Sequence, residues 1–206
     1  MAETEGPQIY LITPQVIDPD GFSAALAAAL DAAPVACLRL SIASRSEDDW
    51  LRAGDLCREI AHPRDVPIVI DDHLVLAERL GLDGVHLTDA HKNIREARKA
   101  LGPDAIVGSF CGTLKHDGLT AAEAGADYVS FGPLGGALGD GKTADLDLFA
   151  WWSEMIEVPV VAEGGLGDTL ITALAPIADF LAFSDEVWLA DNPAGRLRAI
   201  RDMIAS

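Results

Sequence analysis

The chemistry-bearing side chains of this sequence gather at the ends of short apolar runs. Arg39 interrupts Leu38-Arg39-Leu40, and Asp71-Asp72-His73 closes Ile68-Val69-Ile70. His86 lies between Val85 and Leu87, with Asp89 and His91 just beyond, and the run before Cys111 ends in Phe110. Gly132 opens a glycine-rich stretch that reaches Lys142, while Glu163-Gly164-Gly165 and Ser184-Asp185 end the last two runs. An arginine in an apolar strand needs an anionic partner. A bound substrate anion is the favoured partner here, and an internal carboxylate is the alternative. Adjacent carboxylates such as Asp71-Asp72 can hold Mg²⁺ together with substrate phosphates, because a hard cation takes oxygen ligands. The same Asp72 could simply cap the helix that follows. His86, in mid-strand, reads as a hydrogen-bonded core residue. Gly164-Gly165, just before an expected helix start at Asp168-Thr169, lets backbone N–H groups approach a phosphate. Ser184 is the matching group after the next strand. Trp151-Trp152, at helical spacing among Leu146, Leu148, Phe149 and Met155, reads as a packing surface.

Residues Gly136–Thr143 (GALGDGKT) match G-x-x-x-x-G-K-[ST], the phosphate-cradling P-loop pattern. That loop needs its first glycine directly after a strand, and here Pro133-Leu134-Gly135 intervene. The hydrophobic run ending in Asp71-Asp72 also precedes the loop instead of following it. The stretch therefore reads as a flexible glycine loop, or as a lid carrying Lys142 to a substrate.

What must position these groups is a regular alternation. Strand-like runs are expected at Gln8–Thr13, Val35–Ile42, Pro67–Asp71, Gly84–Leu87, Ala105–Phe110, Tyr128–Gly132, Pro159–Glu163 and Phe180–Phe183. Helix-like segments fall between them: Gly21–Ala33, Glu47–Ala61, Leu74–Leu80, Asn93–Leu101, Leu114–Ala124, Leu146–Ile156 and Thr169–Ala175, with a final stretch Asp185–Ile204. The strand runs are apolar on both faces, as in parallel strands covered on both sides. Gly81 and Gly125 suit left-handed helix caps, and Val66-Pro67 and Val158-Pro159 break helices before strands. Eight evenly spaced units in 206 residues predict one compact (β/α)₈ TIM barrel over residues 1–206, ahead of an open doubly wound sheet. In such a barrel, active groups stand at the C-terminal strand ends, which is where the residues above fall.

Composition narrows the partners. Half of the residues are apolar, enough for a sizeable core, and the formal net charge is −18. A chain this acidic repels nucleic acid and anionic membranes at long range. Neither is an expected partner, and a phosphorylated small molecule must be held by local cations, backbone N–H groups or a metal. The three separated cysteines show no zinc spacing and read as free thiols in a reducing compartment. With an acidic start lacking an apolar core, and no apolar run near the ~20 residues that span a bilayer, the expected location is cytoplasmic. A homo-oligomer is compatible with all of this.

The ordered set of strand ends resembles the thiamine phosphate synthase/TenI family of small (β/α)₈ barrels. The resemblance runs from Tyr10-Leu11-Ile12-Thr13 to Ser184. It is carried by Gly84-Val85-His86-Leu87, the run Ala122–Pro133 (AEAGADYVSFGP) and Pro159–Leu166 (PVVAEGGL). It implies a transferase that joins an aminopyrimidine methyl diphosphate to a thiazole phosphate and releases pyrophosphate, with Mg²⁺ and cations stabilising the leaving group. Arg39 then matches the pyrophosphate-binding arginine and Asp72 a Mg²⁺ aspartate, with Asp71 standing where the family has Asn. Lys142 matches the lysine of the loop after the sixth strand, and Gly164, Gly165 and Ser184 match the thiazole-phosphate site. Four positions depart from the pattern. Cys37 replaces Gln, Ser41 replaces Lys and Phe110 replaces Ser, while His91 stands for the second metal aspartate, with Asp89 as its nearest substitute. The candidate site is thus Arg39, Lys142 and His91 for catalysis, Gly164, Gly165 and Ser184 for phosphate, and Asp72 and Asp89 for metal. The alternatives are a TenI-type thiazole phosphate tautomerase, whose catalytic histidine position is Pro133 here, and a non-catalytic barrel that binds a phosphorylated ligand.

Overall fold

A computed structural model of the protein describes residues 6–135 and 141–205. Eight strands close into a parallel barrel in sequence order: β1 (Gln8–Ile12), β2 (Cys37–Leu40), β3 (Ile68–Asp71), β4 (Gly84–Leu87), β5 (Ile106–Phe110), β6 (Tyr128–Phe131), β7 (Val160–Glu163) and β8 (Phe180–Phe183). The helices between them are α1 (Pro19–Ala32), α2 (Glu47–Ala61), α3 (Leu74–Leu80), α4 (Ile94–Leu101), α5 (Lys115–Ala124), α6 (Leu146–Met155) and α7 (Asp168–Leu174). After β8 come α8 (Asp185–Trp188) and α9 (Pro193–Ile204). The barrel is the expected one, and strand ends move by at most two residues or so. The single helix expected over Asp185–Ile204 is two. Pro193 takes the first turn of α9, where its missing N–H is no loss, and the Asn192 side chain caps that helix by accepting from Gly195 N at 2.9 Å.

The two-residue period of each strand sorts its side chains. Leu38, Leu40, Ile68, Ile70, Val85, Leu87, Val129 and Phe131 point out to the helices and form the main core. Residues between them point into the barrel, where Tyr10, Cys37, Val69, Tyr128, Val161 and Ala182 make a small inner cluster. Arg39, Asp71, His86, Ser130 and Glu163 share that inward alternation. A side chain on Gly108 would collide with the Tyr128 ring, so glycine there makes room for the inward tyrosine. Gly81 and Gly125 close α3 and α5 in the left-handed conformation, at φ 64° and 101°, as their sequence context predicts. Trp152 is fully buried against Phe131, with ring centroids 5.1 Å apart. The tryptophan pair is packing, as expected.

Candidate functional site

The inward residues at the C-terminal half of the barrel form a charged floor. Arg39 is 7% exposed. Its Nε donates to Asp71 Oδ1 at 2.6 Å, one terminal nitrogen donates to Asp71 Oδ2 at 3.3 Å, and the other to Glu163 Oε2 at 3.0 Å. The favoured partner of Arg39, a bound substrate anion, gives way to the alternative: the structure supplies internal carboxylates, Asp71 from β3 and Glu163 from β7, that take three of its donors. Burial works against the guanidinium charge, but Glu163 and Asp71 together reverse this and raise its pKa above the ordinary arginine value. Burial and the neighbouring Asp71 raise the Glu163 carboxyl, against the opposing pull of Arg39. A guanidinium carries five N–H donors, and these contacts use three.

Below that floor the polar groups form a neutral chain. Tyr10 and Tyr128 share a hydroxyl–hydroxyl hydrogen bond of 2.7 Å, and the Tyr128 hydroxyl meets His86 Nδ1 at 2.9 Å. Burial, with Arg39 adding to it, holds the His86 pKa well below the usual imidazole value. Burial also lifts both tyrosines and pushes the Cys37 thiol up to about 12. His86 is thus the core residue its position predicts, with its Nε2 buried and unpartnered among the described residues.

The rim holds the remaining candidates. Asp72 turns out at φ 52°, a left-handed conformation uncommon for a non-glycine residue. Its carboxylate takes the Thr88 backbone N–H at 2.9 Å and the Thr88 hydroxyl. It lines a cleft with Arg45, Trp50 and His73, and the capping hydrogen bond considered for it is not formed. Asp89 pairs with Lys92 through both carboxylate oxygens, at 2.8 and 2.9 Å. With Lys142 it lines a separate cleft of about 360 Å³ between β4, β5 and β6, beside Phe110, Cys111 and Pro133. His91 is half-buried, with Nδ1 unpartnered among the described residues. Residues 136–140, most of the P-loop-like match, lie outside the described residues.

Magnesium is commonly held by one or two carboxylates plus substrate oxygens and water. Among the described residues, no group of three or more His, Cys, Asp and Glu is placed to hold a metal ion. Asp72 nevertheless fits the role of a single oxygen ligand. It is exposed, its backbone is held in an uncommon conformation, and Thr88 orients its carboxylate while each oxygen keeps a second lone pair.

At the ends of β7 and β8 the backbone forms a nest. Gly164 and Gly165 both have positive φ, 88° and 75°. The Gly164 carbonyl accepts from Leu134 N and Gly135 N at 2.9 Å, tying the loop after β6 to the loop after β7. The backbone N–H groups of Gly165, Leu166 and Ser184 converge on one point, 2.9 to 3.0 Å from the carboxylate oxygens of Glu186. Of the expected Gly164, Gly165 and Ser184, the backbone N–H groups of Gly165 and Ser184 are brought together with that of Leu166, whereas Gly164 takes part through its carbonyl. The Ser184 hydroxyl turns away to the Thr13 carbonyl at 3.1 Å. Glu186 and Arg45 were not singled out in the sequence and carry no local pattern. Glu163 stood out as a strand-end carboxylate, but its pairing with Arg39 did not.

The sequence profile of the thiamine monophosphate synthase family matches residues 9–185. The chain belongs to that family. It is 42% identical to a thiamine-phosphate synthase of Rhodospirillum centenum over 95% of both chains. It is 37% identical to a thiamine-phosphate synthase of Erythrobacter litoralis over the whole of both. Among solved structures, a thiamine phosphate pyrophosphorylase from Pyrococcus furiosus superposes with a TM-score of 0.84, at 22% identity, over 96% of this chain and 95% of that one. A 3-hexulose-6-phosphate synthase superposes at 0.74 and 18% identity over 96% and 100%, a likeness of fold. Among the described residues no helix is long and apolar enough to cross a membrane, and the three cysteines are free and buried.

Proposed function

We propose that this family member is a transferase that forms thiamine phosphate from an aminopyrimidine methyl diphosphate and a thiazole phosphate. The bond between the pyrimidine methylene carbon and the diphosphate oxygen breaks, and pyrophosphate leaves with the electron pair. The thiazole nitrogen then donates its lone pair to that carbon and closes the new C–N bond. The observation that carries this reading is the end-to-end relatedness to named synthases, 42% identical over 95% of both chains. The geometry supports it at both substrate ends.

For the leaving group, Lys142 stands on the rim and Arg39 in the floor, with two guanidinium donors not used among the described residues. Fixed cations aimed where negative charge develops stabilise a transition state more than a ground state. Magnesium, with Asp72 as its protein ligand, would supply further neutralisation of the diphosphate, while Asp89, expected as a second ligand, stands in a separate cleft paired with Lys92. For the accepting substrate, the N–H groups of Gly165, Leu166 and Ser184 hold the phosphate, which fixes the thiazole ring over the barrel mouth. Holding two reactants in line removes much of the entropic barrier to their encounter. The ligands are small phosphorylated molecules, and the site is an acidic barrel's few local donors, as its overall charge requires. The tautomerase reading lacks support, since Pro133 stands where that activity needs a histidine. Three free, buried thiols suit a reducing, cytoplasmic compartment.

The test is direct: purified protein with both substrates and Mg²⁺ should release pyrophosphate and thiamine phosphate in equal amounts, and neither substrate alone should. Release of pyrophosphate without thiamine phosphate, or no turnover at saturating substrate, overturns the assignment.

A further inference from the structure

The phosphate cradle carries an anion of its own. Three backbone N–H groups from two different loops, Gly165 and Leu166 after β7 and Ser184 after β8, all donate to one carboxylate, that of Glu186. Its Oε1 takes two donors at 2.9 and 3.0 Å, and Oε2 takes the third at 2.9 Å. Charge-assisted bonds of this kind are about twice as strong as neutral ones. Glu186 is half-buried and reaches back to the cradle from the first turn of α8. Arg196, close to Glu186 in the fold, is directed elsewhere. Its Nη2 pairs with Asp168 at 2.8 Å, and its Nε lies 3.4 Å from the Glu186 carbonyl oxygen, not from the carboxylate. Asp168, Asp185 and Glu186 make the surroundings acidic, so the three N–H groups are what favours an anion at that point.

We propose that Glu186 is an internal competitor for the substrate phosphate and sets the affinity and selectivity of the cradle. This rests on the proposed placement of the thiazole phosphate between β7 and β8. A monophosphate cannot share three N–H donors with a carboxylate already bonded to all of them. Its entry therefore requires the Glu186 side chain to rotate out, and the displaced charge then stays within a few bonds of the bound dianion. Binding is weakened twice, by the bonds that must be broken and by the repulsion that remains. A ligand whose phosphate is joined to a thiazole body that makes further contacts can overcome this, whereas free inorganic phosphate cannot. Glu186 thereby keeps the cradle closed to inorganic phosphate and opens it to the substrate.

The test compares wild type with Glu186→Ala and Glu186→Gln by calorimetry, using inorganic phosphate and the thiazole phosphate as separate probes. Backbone amide shifts of Gly165, Leu166 and Ser184 are followed in the same titrations. Glu186→Ala should bind inorganic phosphate at least tenfold more tightly than wild type. Glu186→Gln, which keeps an acceptor oxygen but no charge, should fall between them. The gain for the thiazole phosphate should be smaller, so that selectivity against inorganic phosphate falls. Equal or weaker phosphate binding by Glu186→Ala, with the three amides shifting, overturns the role of Glu186 and leaves the cradle in place. Phosphate binding that moves none of the three amides places the site elsewhere and overturns both.

Discussion

Removing the Arg39 guanidinium should unfold this barrel far more readily than its size suggests, and the deficit should grow with pH. Arg39→Met keeps most of the aliphatic bulk and deletes the charge. Asp71 and Glu163, only 13% and 14% exposed at their side chains, then face each other across the floor without a cation. Breaking a buried ion pair by removing one partner costs about 3–5 kcal/mol, chiefly because the remaining charge is uncompensated. For a domain of this length each kcal/mol moves the midpoint by about 2–4 °C, so a fall of about 6–20 °C is expected. The sign of the pH dependence follows from Glu163. Its folded pKa is already raised above 4.5 by burial and by Asp71, and Arg39 is the group that opposes this. Without Arg39 it rises further, so the folded state holds a proton that the unfolded state has lost. Stability then falls as pH rises through that window, and Arg39→Met should be less impaired near pH 5 than near pH 8. Urea denaturation at both values measures this. The triple variant Arg39→Met, Asp71→Asn, Glu163→Gln removes the stranded charges and should recover most of the loss, while failing to bind pyrophosphate. A loss below about 1 kcal/mol that does not change with pH would refute the reasoning, because Arg39 would then not be compensating the two carboxylates.

Three further outcomes can be checked. Ser41→Lys with His91→Asp restores a cation and a hard oxygen ligand at the diphosphate end; at about 1.5–3 kcal/mol per charged contact, the pair should tighten pyrophosphate at least tenfold and make binding more Mg²⁺-dependent by calorimetry. His86 is neutral when folded and protonates more readily when unfolded, so its contribution is complete above about pH 6.5 and is lost as pH falls below that value; His86→Gln should flatten the acid limb of the stability profile. Lys142→Ala should weaken pyrophosphate several-fold, whereas saturable Mg²⁺-dependent ATP binding that this variant loses would reinstate the P-loop reading of Gly136–Thr143.

The barrel was legible because its cues are local and repeat. Apolar runs, left-handed glycines such as Gly81 and Gly125, and proline breaks before β3 and β7 recur unit by unit. The one misjudged element, the division after Trp188, turned on Pro193 and an asparagine cap, cues also present in the chain but overridden by the apolar pattern on either side. The site was legible only as a set of strand ends. Which strand end meets which depends on barrel closure: Arg39 meets Glu163 across 124 positions of sequence, and no spacing rule reports that pair. The sequence favours a substrate anion beside Arg39, with an internal carboxylate as the alternative; only barrel closure, which brings Asp71 and Glu163 to it, decides for the alternative.

The same limit explains why the two substrate ends differ in how they could be read. At the proposed diphosphate end, chemistry lies in side chains, so replacements at Cys37, Ser41, His91 and Phe110 are visible as changed letters. At the proposed phosphate end, the donors are backbone N–H groups, which every residue but proline supplies, and only the glycine pair marks where the backbone bends. Of the three donors, Gly165 is held to glycine by its φ of 75° and by the Gly135 carbonyl oxygen, with which a Cβ would collide, whereas Leu166 and Ser184 supply only an N–H. The selectivity of the cradle must then come from a side chain that enters it from outside. Glu186 does so, two residues beyond Ser184. A substitution there alters phosphate binding without touching a single donor, which makes position 186 the more informative place to compare this chain with its relatives than the glycines themselves.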